Sequence, residues 1–340
     1  MSKASRRAAR ERLRQERLKE QQRAKRNRIL AVIGAAALVV LLVVGVGYFI
    51  LTADSGPETE QSELYAGLPP QSVQQDGSVV VAEEGTEAPV VEVYVDYQCP
   101  ACQQFEEESG AVLQEMAGDG EAIVHYRPVS IFAPRGEPVG SNSLRAGAAA
   151  RAAADHGKFV EYNDVLFENQ PAENEVGYEA GDLKEWGAQV GIEDPAFAER
   201  IDRESEIAGR FSDYYQQLTS AAQEEMSEER LRTMTLPELV EWGSEQGIDD
   251  SFLEGSYAEE VLDATNEAYA RYDGENAFEA TPSIYLNDEI LGNEAFSAQR
   301  LREAVEGAGP GEVTTEPLAS GEETEPEKAP SVGESPGTEE

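Results

Sequence analysis

The run Val90-Val-Glu-Val-Tyr-Val95 passes within four residues into Cys99-Pro-Ala-Cys102, and a helical pattern follows at once. This juncture constrains the fold most, because a thiol pair there needs a sheet on one side and a helix start on the other. The two are the only cysteines among 340 residues. Their spacing lets the sulfurs bond each other across one helical turn, and free N–H groups at a helix start favour a thiolate on the first. A bridge between positions i and i+3 removes little unfolded-state entropy, so the spacing points to redox chemistry rather than stapling. A metal site would need further ligands. The only histidines, His125 and His156, read as a strand residue and a helix-end residue before Gly157.

The N-terminus places the pair in a compartment. Residues 1–28 hold twelve Lys/Arg against three Asp/Glu, a local net of +9. Ile29 to Leu51 then runs 23 residues without a charged side chain, enough to cross a hydrocarbon core that takes about 20 residues of helix. No small-residue cleavage site follows Leu51, which distinguishes the segment from a signal peptide and makes it an uncleaved single-pass anchor. The basic flank is expected to stay cytoplasmic, leaving everything after Thr52 extracytoplasmic in an oxidising space. Subtracting +9 from the formal net charge of −40 leaves −49 on the rest of the chain, which argues against nucleic-acid binding there.

Composition sets the boundaries. Residues 52–77 are rich in Pro, Gly, Gln, Ser and Glu and read as a flexible tether; residues 308–340, with nine Glu and one Lys, read as a disordered acidic tail. Between them lies a domain over 78–307. Val79 to Ala82, Val90 to Val95 and Ala122 to Val129 are strand candidates, the second apolar enough to be central. Phe105, Val112, Leu113 and Met116 share a helical face that ends at Gly118, and Ser143 to Ala154 is an Ala-rich helix. Ser283 to Leu286, an Asn287-Asp288 turn and Glu289 to Leu291 read as a hairpin, with a last helix from Ser297 to Glu306. Between about 138 and 275 the pattern is helical and contains an echo. Asp182-Leu-Lys-Glu-Trp-Gly-Ala-Gln-Val-Gly-Ile192 is matched by Glu238-Leu-Val-Glu-Trp-Gly-Ser-Glu-Gln-Gly-Ile248, each followed by a Phe, Phe197 or Phe252. Two copies are too few for a solenoid and predict a duplicated helical hairpin, with Trp186 and Trp242 as core anchors.

The strand-CxxC-helix element, a distant Thr281-Pro282 step opening a late strand, and an all-helical stretch between them resemble the thioredoxin fold of the DsbA-like thiol:disulfide oxidoreductases. Membrane-anchored members share the phrase Asp96-Tyr-Gln-Cys-Pro-Ala-Cys102. The resemblance implies an α/β thioredoxin-like fold with an enlarged helical insertion, preceded by one transmembrane helix. It gives Cys99 the role of exposed nucleophile, Cys102 that of buried resolving thiol, and Pro100 and Ala101 the active-site dipeptide. Pro282 becomes a cis-proline facing the pair, with Thr281 offering backbone groups to a client segment. Asp96, Tyr97 and Gln98 line the approach and tune the pair. No cofactor is needed. The implied partners are exported proteins with free thiols and an integral-membrane, quinone-linked reoxidase of the DsbB or vitamin K epoxide reductase type.

Two departures bear on direction. Strongly oxidising relatives often carry His before the second cysteine, where this chain has Ala101, and many place a buried acid six residues before the first cysteine, where this chain has Val93. Glu92 is one residue off and by strand alternation faces the other way. The leading expectation is an oxidase of exported proteins. A reductase or isomerase of the same fold, or an envelope chaperone that binds clients through its helices, are the alternatives.

Overall fold

The computed structural model describes Tyr65 and residues 67–314. The basic segment 1–28, the expected membrane span 29–51, the expected tether through 64 and the tail from 315 onward lie outside the described residues. Among the described residues no helix is long and apolar enough to cross a membrane.

Six strands form one mixed sheet in the order β1-β2-β4-β3-β5-β6. They are β1 (Gln71–Val73), β2 (Val79–Val81), β3 (Val90–Val95), β4 (Ile123–Pro128), β5 (Ser283–Leu286) and β6 (Glu289–Leu291). β3 runs parallel to β4 and antiparallel to β5. All six of its residues are buried, as expected for a β-branched run covered on both faces. Alternation sends Val91, Val93 and Val95 to the face that packs on Cys99, Cys102, Phe105 and Met116. Tyr94 goes to the other face, against Tyr272, Phe278 and Tyr285. The β5–β6 hairpin turns on Asn287 and Asp288 with φ of 49° and 67°, the left-handed pair that matches strand twist.

Helices α1 (Pro100–Phe105), α2 (Ala111–Gly118), α3 (Val139–Ala154), α4 (Phe159–Glu168), α5 (Ala180–Gln189), α6 (Pro195–Glu225), α7 (Glu228–Thr233), α8 (Leu236–Glu245), α9 (Tyr257–Arg271) and α10 (Ala298–Gly307) complete the described fold. The single helix expected after the cysteines is interrupted by a π-helical turn over Glu106–Gly110. A side chain at Gly110 would drive its Cβ into Glu106 Oε1, so the glycine leaves room for that carboxyl.

Two boundaries move. Gln71–Val73, expected within the tether, pairs with β2 as an edge strand, and Gln71 Nε2 donates to Glu161 Oε2 at 2.8 Å. One apolar residue in three gave no alternation to read. At the other end, the expected disordered tail is docked as far as Thr314: Gly311 N donates to Ala88 O at 3.0 Å, and Val313 packs on Ala88, Val90 and Ile123.

The echo is real but smaller than a hairpin. Both Trp-bearing helices end in the same way, with Ile192 N donating to Gly187 O at 2.8 Å and Ile248 N to Gly243 O at 2.9 Å. Each turn passes through a left-handed glycine, Gly191 (φ 86°) or Gly247 (φ 79°). Gly187 packs on Phe197 and Gly243 on Leu218, both on α6. After that the copies diverge, because Phe197 opens α6 whereas Phe252 sits in a loop. Trp186 and Trp242 are half-buried, packed on different core clusters.

Candidate active site

Cys99 occupies the N-cap of α1 in extended conformation, with Pro100 as the first helical residue. Proline suits that position because its missing N–H is one the helix could not satisfy. The turn closes through Cys99 N to Asp96 O at 3.0 Å and Cys102 N to Cys99 O at 3.0 Å. Both cysteines are free thiols. Cys99, expected to be exposed, keeps 6% of its surface, whereas Cys102 keeps none. The reason is the loop before β5: the Thr281–Pro282 bond is cis, and Cys99 Sγ donates to Thr281 O at 3.1 Å. Pro100 is exposed and Ala101 half-buried, so the pair is approached over the dipeptide.

The two sulfurs are electrostatically unlike. A hydrogen bond from the Cys102 thiol, acting against burial and joined by the Cys102 and Ala101 N–H groups, lowers the Cys99 thiol to about 6. Burial, reinforced by Cys99 itself, pushes Cys102 well above its ordinary value. At neutral pH the reduced site therefore holds one thiolate and one thiol.

Asp96, Tyr97 and Gln98 do not line the approach as expected; all three are buried and hold the turn from beneath. Asp96 Oδ1 accepts from Gln98 N at 2.9 Å, and Oδ2 from Ser143 Oγ at 2.8 Å and Phe132 N at 3.2 Å. Burial raises its carboxyl to about 7 despite these bonds, with the Cys99 charge adding to the rise. Tyr97 OH donates to Asn163 Oδ1 at 2.9 Å, and Gln98 Oε1 accepts from Asn142 Nδ2 at 2.7 Å.

Several supporting residues escape sequence reasoning. Gln170 Nε2 donates to Tyr97 O at 2.8 Å and to Cys99 O at 3.1 Å. Ser143, Phe132 and Asn142 come from the β4–α3 loop and α3. These are common polar or apolar residues 30 or more positions from the cysteines, and nothing in their spacing marks them. Behind α1, burial raises both Glu106 and Asp164, and the charge of Asp164 raises Glu106 further, so Glu106 holds its proton when Asp164 is ionised. Tyr65 OH caps it, donating to Asp164 Oδ2 at 2.6 Å.

Val93 packs on the cysteine side of the sheet, and Glu92 faces away from it, as alternation predicts. Glu92 Oε2 accepts from Arg127 Nε at 3.1 Å, Tyr272 OH at 2.9 Å and Tyr94 OH at 3.0 Å. Arg127 Nη1 also bonds Asp76 Oδ2 at 2.6 Å. Burial and then Arg127 lower His125 to about 3, so it stays neutral in this network, with Nε2 2.6 Å from Ser78 Oγ. Among the described residues no group of three or more His, Cys, Asp or Glu is arranged to hold a metal.

A strand-to-helix dithiol with one stabilised thiolate, facing a cis-proline loop, defines a protein thiol:disulfide oxidoreductase. Residues 84–307 match the family described as Thioredoxin, and the chain belongs to that family. Similar solved structures include the MdbA protein, a thiol-disulfide oxidoreductase from Corynebacterium diphtheriae, at 17% identity over 69% of this chain and 93% of that one, with a TM-score of 0.42. The MdbA protein from Actinomyces oris matches at 17% identity over 71% and 92%, with a TM-score of 0.44. The DsbA of Mycobacterium tuberculosis in its oxidised form matches at 20% identity over 71% and 93%, with a TM-score of 0.39. No curated protein matches the sequence.

Proposed function

We propose that this chain is a membrane-anchored, DsbA-like oxidase that passes the Cys99–Cys102 disulfide to exported proteins as they fold. The observation that carries the reading is the asymmetry of the sulfurs, with Cys99 lowered to about 6 and Cys102 raised well above its ordinary value. Thiolate stabilisation exists only in the reduced pair, so it favours reduction of the site and release of its disulfide to a client. The uncharged segment 29–51 behind a basic flank supports the anchor and an extracytoplasmic domain.

A client thiolate attacks Cys99 Sγ, the Sγ–Sγ bond breaks, and Cys102 leaves and takes up a proton. A second client thiolate then attacks the client sulfur of the mixed disulfide and displaces Cys99 as thiolate. The client is oxidised by two electrons and the pair reduced by two. Thr281, next to the cis bond and within reach of Cys99 Sγ, presents the backbone edge along which an extended client segment lies. A quinone-linked membrane partner of the DsbB or vitamin K epoxide reductase type then removes the two electrons, and no bound cofactor is required.

The test is a Cys102→Ser protein whose Cys99 is first converted to its mixed disulfide with glutathione and then incubated with a reduced, unfolded substrate, whose thiolate attacks Cys99 Sγ and releases glutathione. The reading expects a mixed disulfide to accumulate on Cys99 and to be absent in Cys99→Ser. Capture of substrate without any covalent adduct would replace it with the chaperone reading. A reductase or isomerase, which Ala101 leaves open, would show instead as a reduction potential near the thioredoxin value of about −270 mV.

A further inference from the structure

We propose that Gln170 is a positioning residue of the dithiol, whose side-chain amide pins the chain on either side of Gln98 and so keeps Cys99 aimed for exchange while the pair is reduced. The proposal rests on the dithiol exchange described above and adds to it the residue that holds the turn when no disulfide does.

Cys99 caps α1 from outside the helix, with φ −86° and ψ 116°. Its carbonyl is the first acceptor of that helix, taking the Cys102 N–H at 3.0 Å and the Gln103 N–H at 3.3 Å. Carbonyl and side chain leave the same Cα, so fixing the direction of one fixes where the other lies over the free N–H groups of the first turn. Gln170 grips that carbonyl from the loop after α4. Its Nε2 donates to Cys99 O at 3.1 Å and to Tyr97 O at 2.8 Å, one amide using both of its hydrogens. The loop is locked to the same turn in return. Gln98 Nε2 donates to Pro171 O at 3.0 Å, Gln103 Nε2 to Phe167 O at 2.7 Å, and Tyr178 OH to Tyr97 O at 2.9 Å. Tyr178 stands at φ 52°, in the left-handed region that a bulky side chain occupies only where its surroundings hold it there. Among the described residues, Gln170 is the side chain of this loop that reaches the Cys99 backbone.

The two oxidation states need this grip to different degrees. In the oxidised protein the Sγ–Sγ bond closes a ring through residues 99–102 and sets the direction of Cys99 covalently. When two glutathione thiols reduce the pair by two electrons and leave as glutathione disulfide, that bond is gone and hydrogen bonds alone hold the orientation. The Cys102 and Ala101 N–H groups favour the thiolate while Sγ lies over them. Loss of the Gln170 amide therefore weakens the reduced form and leaves the disulfide form nearly as it was. One neutral hydrogen bond corresponds to a factor of about three to ten in an equilibrium constant.

The experiment measures, for the full-length protein and for Gln170→Ala, Gln170→Glu and Tyr178→Phe, the equilibrium constant for reduction by glutathione at neutral pH, the thiolate midpoint of Cys99, and the melting temperature of each oxidation state. In Gln170→Ala the constant should fall about three- to tenfold, the midpoint should rise by about half to one pH unit, and the reduced protein should lose more thermal stability than the oxidised one. Gln170→Glu keeps the length but turns an acceptor toward two carbonyls, so its constant should fall further; it also serves if the alanine variant does not fold. Tyr178→Phe loosens the same loop without touching Cys99 O. It should lower both melting temperatures alike and leave the constant within about twofold of wild type. An unchanged constant in the Gln170 variants, or a fall in Tyr178→Phe as large as in Gln170→Ala, would overturn the proposal and leave Gln170 a structural contact. Failure of the wild-type pair to equilibrate with glutathione at all would instead remove the dithiol reading beneath it.

Discussion

Glu92 and Asp96 stand four residues apart on one stretch of chain, both buried, and the fold treats them in opposite ways. Behind the sheet, Glu92 shares Arg127 with Asp76, and two tyrosine hydroxyls and the neutral His125 complete the set. Arg127 holds Asp76 below its ordinary value even though burial pushes the other way. In front, beneath the dithiol turn, Asp96 receives only neutral donors and burial raises it to about 7. The lesson is that burial alone does not make an acid responsive. Arg127 within reach holds Asp76 below its ordinary value, and the absence of any cation leaves Asp96 able to answer a change of charge at Cys99.

The largest test of this contrast is Arg127→Met, which strips the rear network of its cation while leaving the front untouched. Removing one partner of a buried ion pair costs about 3–5 kcal/mol, which lowers the melting temperature by on the order of 10 °C in a domain of this size. The Cys99 titration should not move; a shift there would merge the two regions into one network.

A second test separates the regions by pH. The folded value of Asp96 lies above its unfolded one, so its contribution to stability is complete below about 4 and is lost as pH rises through about 7. Wild-type stability relative to Asp96→Asn should fall across that window by up to roughly 4 kcal/mol, at about 1.36 kcal/mol per pH unit. Denaturant melts at several pH values measure it, and a difference that stays constant from pH 4 to 8 would remove the contrast.

Sequence made the front of the molecule legible where chemistry sits in contiguous residues. Val90–Val95 announced a buried strand by being β-branched throughout, Asn287-Asp288 announced a hairpin, and Cys99 and Cys102 announced redox chemistry by spacing alone. The cis bond at Thr281–Pro282 came only through resemblance, since its dipeptide is ordinary. What sequence could not supply was depth. Asp96, Tyr97 and Gln98 looked like polar residues on the way to a surface site, but the loop carrying Phe132, the Ser143 face of α3 and Gln170 cover them. Those covers come from residues between 132 and 170, so their meeting is a property of the tertiary fold. The same holds for Gln71–Val73 and for Gly311 to Thr314, whose polar composition reads as solvated until the partners at Glu161 and Ala88 are in place. The π turn at Glu106–Gly110 left no trace in the helical pattern, because the buried carboxyl it accommodates lies near Asp164 on α4, far from it in sequence.

The account turns on one quantity, the charge on Cys99 in the reduced protein. Titrating the ultraviolet absorbance of thiolate against pH measures it directly, with Cys99→Ser and Cys102→Ser assigning the steps. The account predicts that one thiolate forms with a midpoint near pH 6 and belongs to Cys99, and that no second thiolate forms until well above the ordinary thiol range. A first step at about 8.5, the value of an unperturbed cysteine, would contradict it.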